Sequence, residues 1–598
     1  MYYASMHAVA VPCRPVGTMS PLPPELLLRI MQQLPLPQRL AGPARVCKAW
    51  AAAAVAATTD ISINNQRWVH PGLGVWLQKH GAGVEQLDVC IGHQSEYGVE
   101  VRHFHDGCLY LPTSKLQQLT NLSLKGTALE LSPDLALQSG AASSSNVVEA
   151  LPNLADLHLE ECSVSSKAEL FQLVGAAGLS SLHLENVSWR AGSQEGMDRL
   201  VLPLAVVPIL ERCSSLVTLH LDFCWDSLDM TAPHSSNEFV SISRLQHLKD
   251  LALVLPSDAP ADFLRRVPTG LTHLGLKSFH RLGLSHEHQP VVLQQIPQLQ
   301  HLQSLRIDSL CGFDPASLVS MTQLLRLHFK GVSVQTIQLA RMPHLQQLVL
   351  EDCSTAESAA SALAALGHLS QLQVLKLLHW VKFARGEPSL LHAAPVASLS
   401  ALTASTKLQQ LHVNCRARHG WCASAFPDGA VAHMFPSGRV LEQLVVLHLG
   451  PEKAFIGFDG FLSGEDLECI AASCPSLQSL HIKGSLKAGK PTDALLQLHE
   501  CHTLSVGGVA HAFNNHAAAV VAQMTQLTHL SWCCSRGFTS MGLELMTRLT
   551  NLQRLVMTPM TVDYGNEHDM EADLVAMFGM APEGCPQAVL LKHEVRSR

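Results

Sequence analysis

The sequence lacks the clustered positive charge and the long apolar runs that nucleic-acid-binding, membrane and secreted proteins carry. It has 41 Lys and Arg against 49 Asp and Glu, a net charge of −8, and its basic residues form no cluster. Binding to nucleic-acid phosphates or acidic membranes needs such clusters. No apolar run approaches the ~20 residues that span a bilayer, and residues 1–18 lack the charged start and apolar core of a secretory signal. We therefore expect an intracellular protein, cytoplasmic or nuclear, that binds neither nucleic acid nor membrane.

Motifs of metal sites and enzymes are also missing. The 17 cysteines are dispersed, odd in number and form no Cys-x-x-Cys pair of pairs, which disfavours a disulfide framework and a zinc finger. We interpret them as buried free thiols. The sequence has no phosphate loop, nucleophile elbow, His-Glu-x-x-His helix or dinucleotide fingerprint, and no cysteine lies in a defensible His and acid pattern. The prediction is a protein that is not an enzyme and has no cofactor or metal.

What the sequence does have is one short pattern, Leu-x-x-Leu-x-Leu, seen clearly in Leu154-Ala-Asp-Leu157-His-Leu159. Copies recur on average about 29 residues apart, a period typical of leucine-rich repeats. Good copies begin at Leu119, Leu154, Leu179, Leu216, Leu248, Leu271, Leu302, Leu324, Leu345, Leu372, Leu408, Leu444, Leu477, Leu527 and Leu552, with looser ones at Val84 and Cys501. The resemblance to leucine-rich-repeat proteins covers roughly four-fifths of the chain.

The repeat predicts an α/β solenoid. In each copy the leucines alternate with polar residues, so the leucines point inward and the residues between them point to the opposite face. Segments between the copies, such as 361–366 and 467–472, read as short helices. The predicted fold is therefore an N-terminal three-helix head followed by a curved repeat array, with strands on the concave face and helices on the convex face.

The head begins with an amphipathic segment, Leu22-Pro-Pro-Glu-Leu-Leu-Leu-Arg-Ile-Met31, in which Pro24 suits a first helical position. Leu27, Ile30 and Met31 are predicted to share one face with Leu34. Two further helical segments follow, and the last contains Val46-Cys-Lys-Ala-Trp50, with Val46, Trp50 and Ala53 predicted on one side. Three helices in so few residues bury little surface, which predicts packing against another protein or the adjoining repeats.

These residues resemble an F-box, whose pattern opens with Leu-Pro-x-Glu-Leu-Leu and closes with Val-Cys-(Lys/Arg)-x-Trp. The sequence departs from the family at 41–44, where Ala-Gly-Pro-Ala replaces larger residues. The alternative is an incidental Leu-rich amphipathic helix followed by a tryptophan. The resemblance implies that the head binds a Skp-type adaptor through Leu22, Pro23, Glu25, Leu26, Leu27, Ile30, Leu34, Val46 and Trp50.

The repeats also resemble the cysteine-containing class that is common among F-box proteins, because Cys162, Cys224 and Cys353 stand three residues past the last leucine of their copies. Other copies carry Thr127 or Val187 there, so the array is mixed.

We divide the chain into a flexible segment at 1–19, the F-box-like head at 20–58, a junction at 59–83, the repeats at 84–560 and a cap and tail at 561–598. Trp68, Trp76 and Leu77 of the junction are expected to fix the head to the first repeat.

Several histidines occupy the same position in successive copies and are predicted to form ladders on the concave face. They are His158, His183 and His220 in one trio and His412, His448 and His481 in another. With Asp156, these residues are candidate partner contacts. The alternatives are a plain polar spacer or a metal site, although stacked parallel imidazoles do not converge tetrahedrally. Mutual repulsion in the ladders suggests that partner binding weakens below about pH 6.

Insertions at 414–440, with Trp421 and Phe426, and near Phe455, Phe458 and Phe461 either recognise a partner or cap a local hydrophobic gap.

Together the two resemblances imply a non-catalytic substrate-recognition subunit of a Skp–cullin–F-box ubiquitin ligase. The adaptor would link it to the cullin–RING core, and the repeats would bind a protein substrate. The alternative is a stand-alone repeat scaffold or binding module without ligase association.

Overall fold

The computed structural model of the protein divides into two units. Unit 1 comprises Met1–Leu216 with Phe223–Asp229, and unit 2 comprises Val217–Asp222 with Met230–Arg598. The residues that the structure describes are 26, 29–31, 48–64, 71–90, 108–131, 151–164, 170, 173–174, 178–189, 213–222, 242–255, 263–278, 294–309, 315–355, 357–379, 381–382, 394–415, 429–451, 462–483, 491–507, 514–534, 540–559 and 588–591.

Unit 1 contains two parallel sheets, isolated helical residues at 26, 29–31, 170 and 173–174, and two longer α-helices. The helices are α1 (Lys48–Ala56) and α2 (Pro71–His80), followed by a 3-10 turn at Gly81–Gly83. The strands are β1 (Asp60–Asn64), β2 (Gln86–Cys90), β3 (Cys108–Leu111), β4 (Asn121–Lys125), β5 (Ala128–Leu131), β6 (Asp156–Glu160), β7 (Ser163–Val164), β8 (Ser181–Glu185) and β9 (Ser188–Trp189). The main sheet runs β1-β2-β4-β6-β8, and the shorter sheet runs β3-β5-β7-β9.

Unit 2 continues the same alternation of strand and helical segment. Its strands are β10 (Thr218–Asp222), β11 (Asp250–Leu255), β12 (His273–Ser278), β13 (Ser304–Asp308), β14 (Arg326–Lys330), β15 (Gln347–Glu351), β16 (Ser354–Thr355), β17 (Val374–Leu378), β18 (Val381–Lys382), β19 (Gln410–Cys415), β20 (Val446–Pro451), β21 (Ser479–Lys483), β22 (Thr503–Gly507), β23 (His529–Cys534), β24 (Arg554–Pro559) and β25 (Ala588–Leu591). All of these form one parallel sheet in chain order, except β16 and β18, which pair with each other.

Short helices connect the strands of unit 2. The α-helices are α3 (Thr336–Leu339), α4 (Ala359–Gly367), α5 (Ala430–Met434), α6 (Gly464–Ser473), α7 (Asn515–Val521) and α8 (Ser540–Met546), and 3-10 segments lie at Phe263–Arg266, Ile296–Gln298, Pro315–Ser320, Val396–Thr403 and Pro491–Gln497. Helix α6 begins with a capping box in which the Ser463 side chain accepts from the Asp466 N–H and the Asp466 carboxylate accepts from the Ser463 N–H. The helices expected at 361–366 and 467–472 are confirmed. Among the described residues, no helix is long and apolar enough to cross a membrane.

The repeated leucines form the core because each strand alternates between buried and exposed residues. In β6, Leu157 and Leu159 are buried while Asp156, His158 and Glu160 are partly exposed, and β14 and β15 repeat this pattern. The first leucine of the motif is buried just before its strand, as at Leu154 and Leu345. Neighbouring strands pair leucine to leucine, so this register stacks the core in rows. The predicted α/β solenoid of leucine-rich repeats is confirmed.

A left-handed residue follows many of the strands. Glu161, Asn186, Ser309, Asp352 and His379 have φ between 50° and 58°, and Gly126 and Gly331 occupy the same position. The backbone N–H of this residue donates to a carbonyl at the end of the next strand, as from Asp352 to Leu378 (2.8 Å). The turn thus ties each repeat to its successor.

Each unit has one strand outside the predicted repeat range of 84–560. Strand β1 lies in the segment expected to be a junction, and β25 lies in the expected cap and tail. The first was missed because Thr58 stands where the motif has its first leucine; Thr58 is buried and its hydroxyl donates to the carbonyl of Ala54 at 2.7 Å. Of the expected junction residues, Leu77 is buried and Trp76 packs at a tilt against His80, with ring centroids 5.3 Å apart. Trp68 lies outside the described residues.

Candidate functional site

In the F-box-like head, the structure describes one small buried cluster and two exposed apolar side chains. Met31 is fully buried against Ala54 and Ala57, whereas Leu26 and Ile30 are 48% and 39% exposed. The expectation that Ile30 and Met31 share a face is therefore wrong, because consecutive helical residues point about 100° apart. Leu26 and Ile30, four residues apart, present apolar surface to solvent instead.

The other predicted adaptor contacts are less fully described. Trp50 belongs to α1. The remaining ones, Leu22, Pro23, Glu25, Leu27, Leu34 and Val46, lie outside the described residues.

The first, third and fifth residues of each main-sheet strand point away from the leucine core, and we call the surface that they form the exposed sheet face. In unit 1 this face brings two predicted residues together. His158 and His183 pair in register, and their rings stack with centroids 4.2 Å apart. Burial, and secondarily the neighbouring His183, lowers the pKa of His158.

Carboxylates accompany these two histidines. Nε2 of His183 lies 3.4 Å from Glu185 and Nε2 of His158 lies 3.9 Å from Glu160, which also contacts Lys125. The predicted Asp156 accepts hydrogen bonds from the Asn121 amide (3.2 Å) and the Ser180 hydroxyl (3.4 Å). Unit 1 therefore presents histidines together with acidic groups.

In unit 2, His220 also has an acidic neighbour, with Nε2 2.9 Å from Asp250. Lys277 donates to Asp222 at 2.9 Å, although the two residues are 55 apart in sequence. Sequence patterns could not identify these pairs, because the insertions between strands hide which residues lie side by side.

The second predicted trio forms a stack in unit 2. The ring of His448 lies between those of His412 (4.0 Å between centroids) and His481 (3.9 Å). The rings are nearly parallel on the first side and tilted by 40° on the second, so they lie over one another and do not point to a common centre. The hydroxyl of Ser479 lies 2.8 Å from Nε2 of His481. Within the described part of the chain, no group of three His, Cys, Asp or Glu side chains could hold a metal ion.

The trio continues a longer row that the sequence analysis missed. The third residues of β13, β14, β15, β17, β19, β20 and β21 pair in register. In that order they are Arg306, His328, Val349, Lys376, His412, His448 and His481, and we call them the central row. The signal was present in the sequence, since each of these residues lies between the last two apolar residues of its copy, but only the histidines were compared across copies.

Two acidic residues lie in the column next to the central row. Asp308 is buried and accepts a hydrogen bond from the Ser309 hydroxyl at 2.8 Å. Glu351 pairs with Lys330 at 2.7 Å and lies 3.5 Å from Nε2 of His328. Burial is the main cause that lowers the pKa of His328, and the positive charge of Arg306 adds to it.

The cysteines at the shared offset have a structural role. The thiol of Cys162 donates to the carbonyl of Leu124 at 3.2 Å, and that of Cys353 donates to Phe329 at 3.3 Å. Both acceptors are the last core residues of the preceding strand. The expectation of buried thiols holds at both positions. Cys224 lies outside the described residues, as do the aromatic insertion residues Trp421, Phe426, Phe455, Phe458 and Phe461.

Comparison with known proteins identifies the head. Residues 19–57 match the family model described as F-box-like. No curated protein sequence matches the chain. Among solved structures, a leucine-rich-repeat protein of Leptospira interrogans is 14% identical over 88% of this chain and 91% of its own, with a TM-score of 0.28. That TM-score is too low to support an argument, so the repeat fold rests on the strand register described above.

F-box and leucine-rich-repeat families are typically non-catalytic interaction modules. The chain joins an F-box-like domain at residues 19–57 to a solenoid of leucine-rich repeats.

Proposed function

We propose that this protein is a non-catalytic substrate-recognition subunit of a Skp–cullin–F-box ubiquitin ligase, acting in the cytoplasm or nucleus. The observation that carries the proposal is the F-box-like match at residues 19–57, directly followed by leucine-rich repeats. F-box domains generally bind Skp-type adaptors, and long repeat surfaces bind proteins. The head would hold the adaptor, and the exposed sheet face would hold the substrate.

The exposed apolar pair of the head supports this proposal. The side chains of Leu26 and Ile30 expose apolar surface that a partner can cover, while Met31 packs against Ala54 of α1. Full burial of a large apolar side chain is worth roughly 1.5–3 kcal/mol, and each of these side chains can still gain somewhat less than half of that. Two such residues are therefore expected to contribute substantially to adaptor affinity.

The test is binding of the purified full chain to a purified Skp-type adaptor, measured by calorimetry. We expect the wild type to bind and Leu26→Asp with Ile30→Asp to lose affinity at least tenfold, because burying a carboxylate without a partner is costly. The fold should survive, since both residues are exposed. Val440→Asp is the matched control, because Val440 is 49% exposed and lies in unit 2.

Absence of binding by the wild type, or equal affinity of the double variant, would leave the stand-alone repeat scaffold as the function. Ubiquitin transfer or another activity from the purified chain without partners would contradict the non-catalytic assignment.

A further inference from the structure

We infer that the central row of unit 2 binds an extended acidic peptide segment of a partner protein. That the segment belongs to the substrate rests on the proposed function. The inference adds the chemistry that the substrate must carry.

The first argument is the charge of the row. Six of its seven positions hold Arg, Lys or His, and adjacent positions lie one strand apart in continuous register. Arg306 and Lys376 are charged at all relevant pH values, and protonated imidazoles add to this charge as the pH falls. Elsewhere in the chain net negative charge prevails, so this row differs in sign from the protein as a whole.

The second argument is the distribution of neighbouring acids. On β17, β19, β20 and β21, the exposed sheet face holds no aspartate or glutamate at any first, third or fifth position. At the other end, Asp308 is buried and Glu351 is paired with Lys330. Toward β22 the row ends at Ser505, whose neighbours on that strand are Thr503 and Gly507.

The third argument compares the two histidine stacks. His158 and His183 stack at nearly the same centroid distance as His412 and His448, but each has a glutamate two residues further along its own strand. At the corresponding positions β19 and β20 carry Asn414 and Gly450. The stacked imidazoles are therefore common to both sites. The two sites differ in whether a carboxylate stands two residues further along each strand.

The length of the row matches a peptide. Seven strands at ~4.8 Å spacing make a row roughly 30 Å long, which an extended segment of about nine residues spans at ~3.3 Å per residue. Charge complementarity over such a row gives orientation and selectivity as well as affinity.

The test uses the full chain and a fluorescein-labelled ten-residue peptide of alternating Glu and Ser, followed by fluorescence anisotropy at pH 8 and pH 6. We expect binding that strengthens toward pH 6 and weakens as salt rises, and little binding of the Gln and Ser counterpart. Arg306→Gln with Lys376→Gln should weaken binding about fivefold at both pH values.

The triple variant His412→Gln, His448→Gln and His481→Gln should lose the increase in affinity toward pH 6. The matched control, His301→Gln with His344→Gln, removes two exposed histidines of unit 2 that lie outside the strands of the sheet, and it should leave peptide binding unchanged. Thermal unfolding of each variant checks that it folds.

Equal binding of the two peptides, or wild-type binding by both variants of the central row, would overturn the inference. Tighter binding of a ten-nucleotide oligothymidylate than of the acidic peptide would also overturn it in favour of a nucleic-acid ligand. The assay contains no adaptor, so its failure is separate from a failure of the adaptor-binding test.

Discussion

A buried thiol makes the clearest single-residue link between sequence pattern and structure. Cys353 lies under the turn after β15 and donates to the carbonyl of Phe329 in the preceding strand. Burial raises the pKa of its thiol to about 12. The thiolate, which is the reactive form, is therefore scarce at neutral pH, and the residue acts as a hydrogen-bond donor within the core.

We predict that Cys353→Val lowers the free energy of unfolding by about 0.5–1.5 kcal/mol, because valine cannot donate the hydrogen bond that the thiol makes to the Phe329 carbonyl. Cys353→Ser should lose less, since its hydroxyl can donate to the same atom. Urea unfolding followed by circular dichroism measures both. Cys469→Val on α6, where the thiol is only half buried, is the control and should stay within about 0.5 kcal/mol of wild type.

At the scale of elements, the left-handed turn decides how one repeat connects to the next. Gly331 has φ +62°, and a Cβ placed there would lie 3.1 Å from the hydroxyl oxygen of Ser309 on the neighbouring turn. Its N–H donates to the carbonyl of Glu351 at 2.8 Å. Both the backbone conformation and the close neighbour therefore favour glycine at this turn.

Gly331→Ala is expected to cost about 1–2 kcal/mol of stability, because an L-residue in the left-handed region is strained. Gly270→Ala is the control, since a Cβ there meets nothing within 4 Å. A shift in the thermal midpoint for Gly331→Ala alone is the expected result. Equal shifts in both variants would contradict the explanation.

Strand prediction succeeded at the copies of the Leu-x-x-Leu-x-Leu pattern, even where another apolar residue replaces leucine. Cys501, Leu504 and Val506 form the core of β22 as predicted. The pattern did not reveal the copy at Thr58, because threonine is a polar residue. Its side chain is nevertheless buried, since its hydroxyl donates to a helix carbonyl. The left-handed turn residues also escaped prediction: Glu, Asn, Ser, Asp and His share no side-chain property that the local sequence reveals.

At the scale of the molecule, stability is distributed along the array, because each repeat packs only against its neighbours. Leu411 of β19 is fully buried, and β19 pairs with β17 and β20. A defect there should remain local and should not unfold the whole chain together.

Leu411→Ala is predicted to cost about 2–5 kcal/mol locally. Hydrogen exchange should accelerate in β17, β19 and β20, while exchange in β1 and β2 stays at the wild-type rate. Gln410→Ala, on the exposed sheet face of the same strand, should change neither region. Uniform acceleration along the chain would show that the array unfolds as one cooperative block.

The candidate site was only partly predictable from sequence. The histidine positions followed from the repeat frame, and the ring stacking of His412, His448 and His481 agrees with the predicted ladder. Their role as partner contacts stays a prediction. The earlier hypothesis that partner binding weakens below pH 6 considered only repulsion within the ladder. For an acidic partner the expected sign is the opposite, because its carboxylates attract the protonated histidines and the partner binds more tightly as the row gains charge.

The in-register pairing of the strands also bears on how such a protein can evolve. Duplication of one repeat would add a strand whose outward side chains continue the existing rows. The exposed sheet face would then lengthen by ~4.8 Å, and the neighbouring repeats would not need to change. Loss of the repeat that carries Val349 would bring His328 beside Lys376 and make the basic row continuous. Gain or loss of a single repeat can thus change which side chains the exposed sheet face presents, while the remaining core contacts are kept.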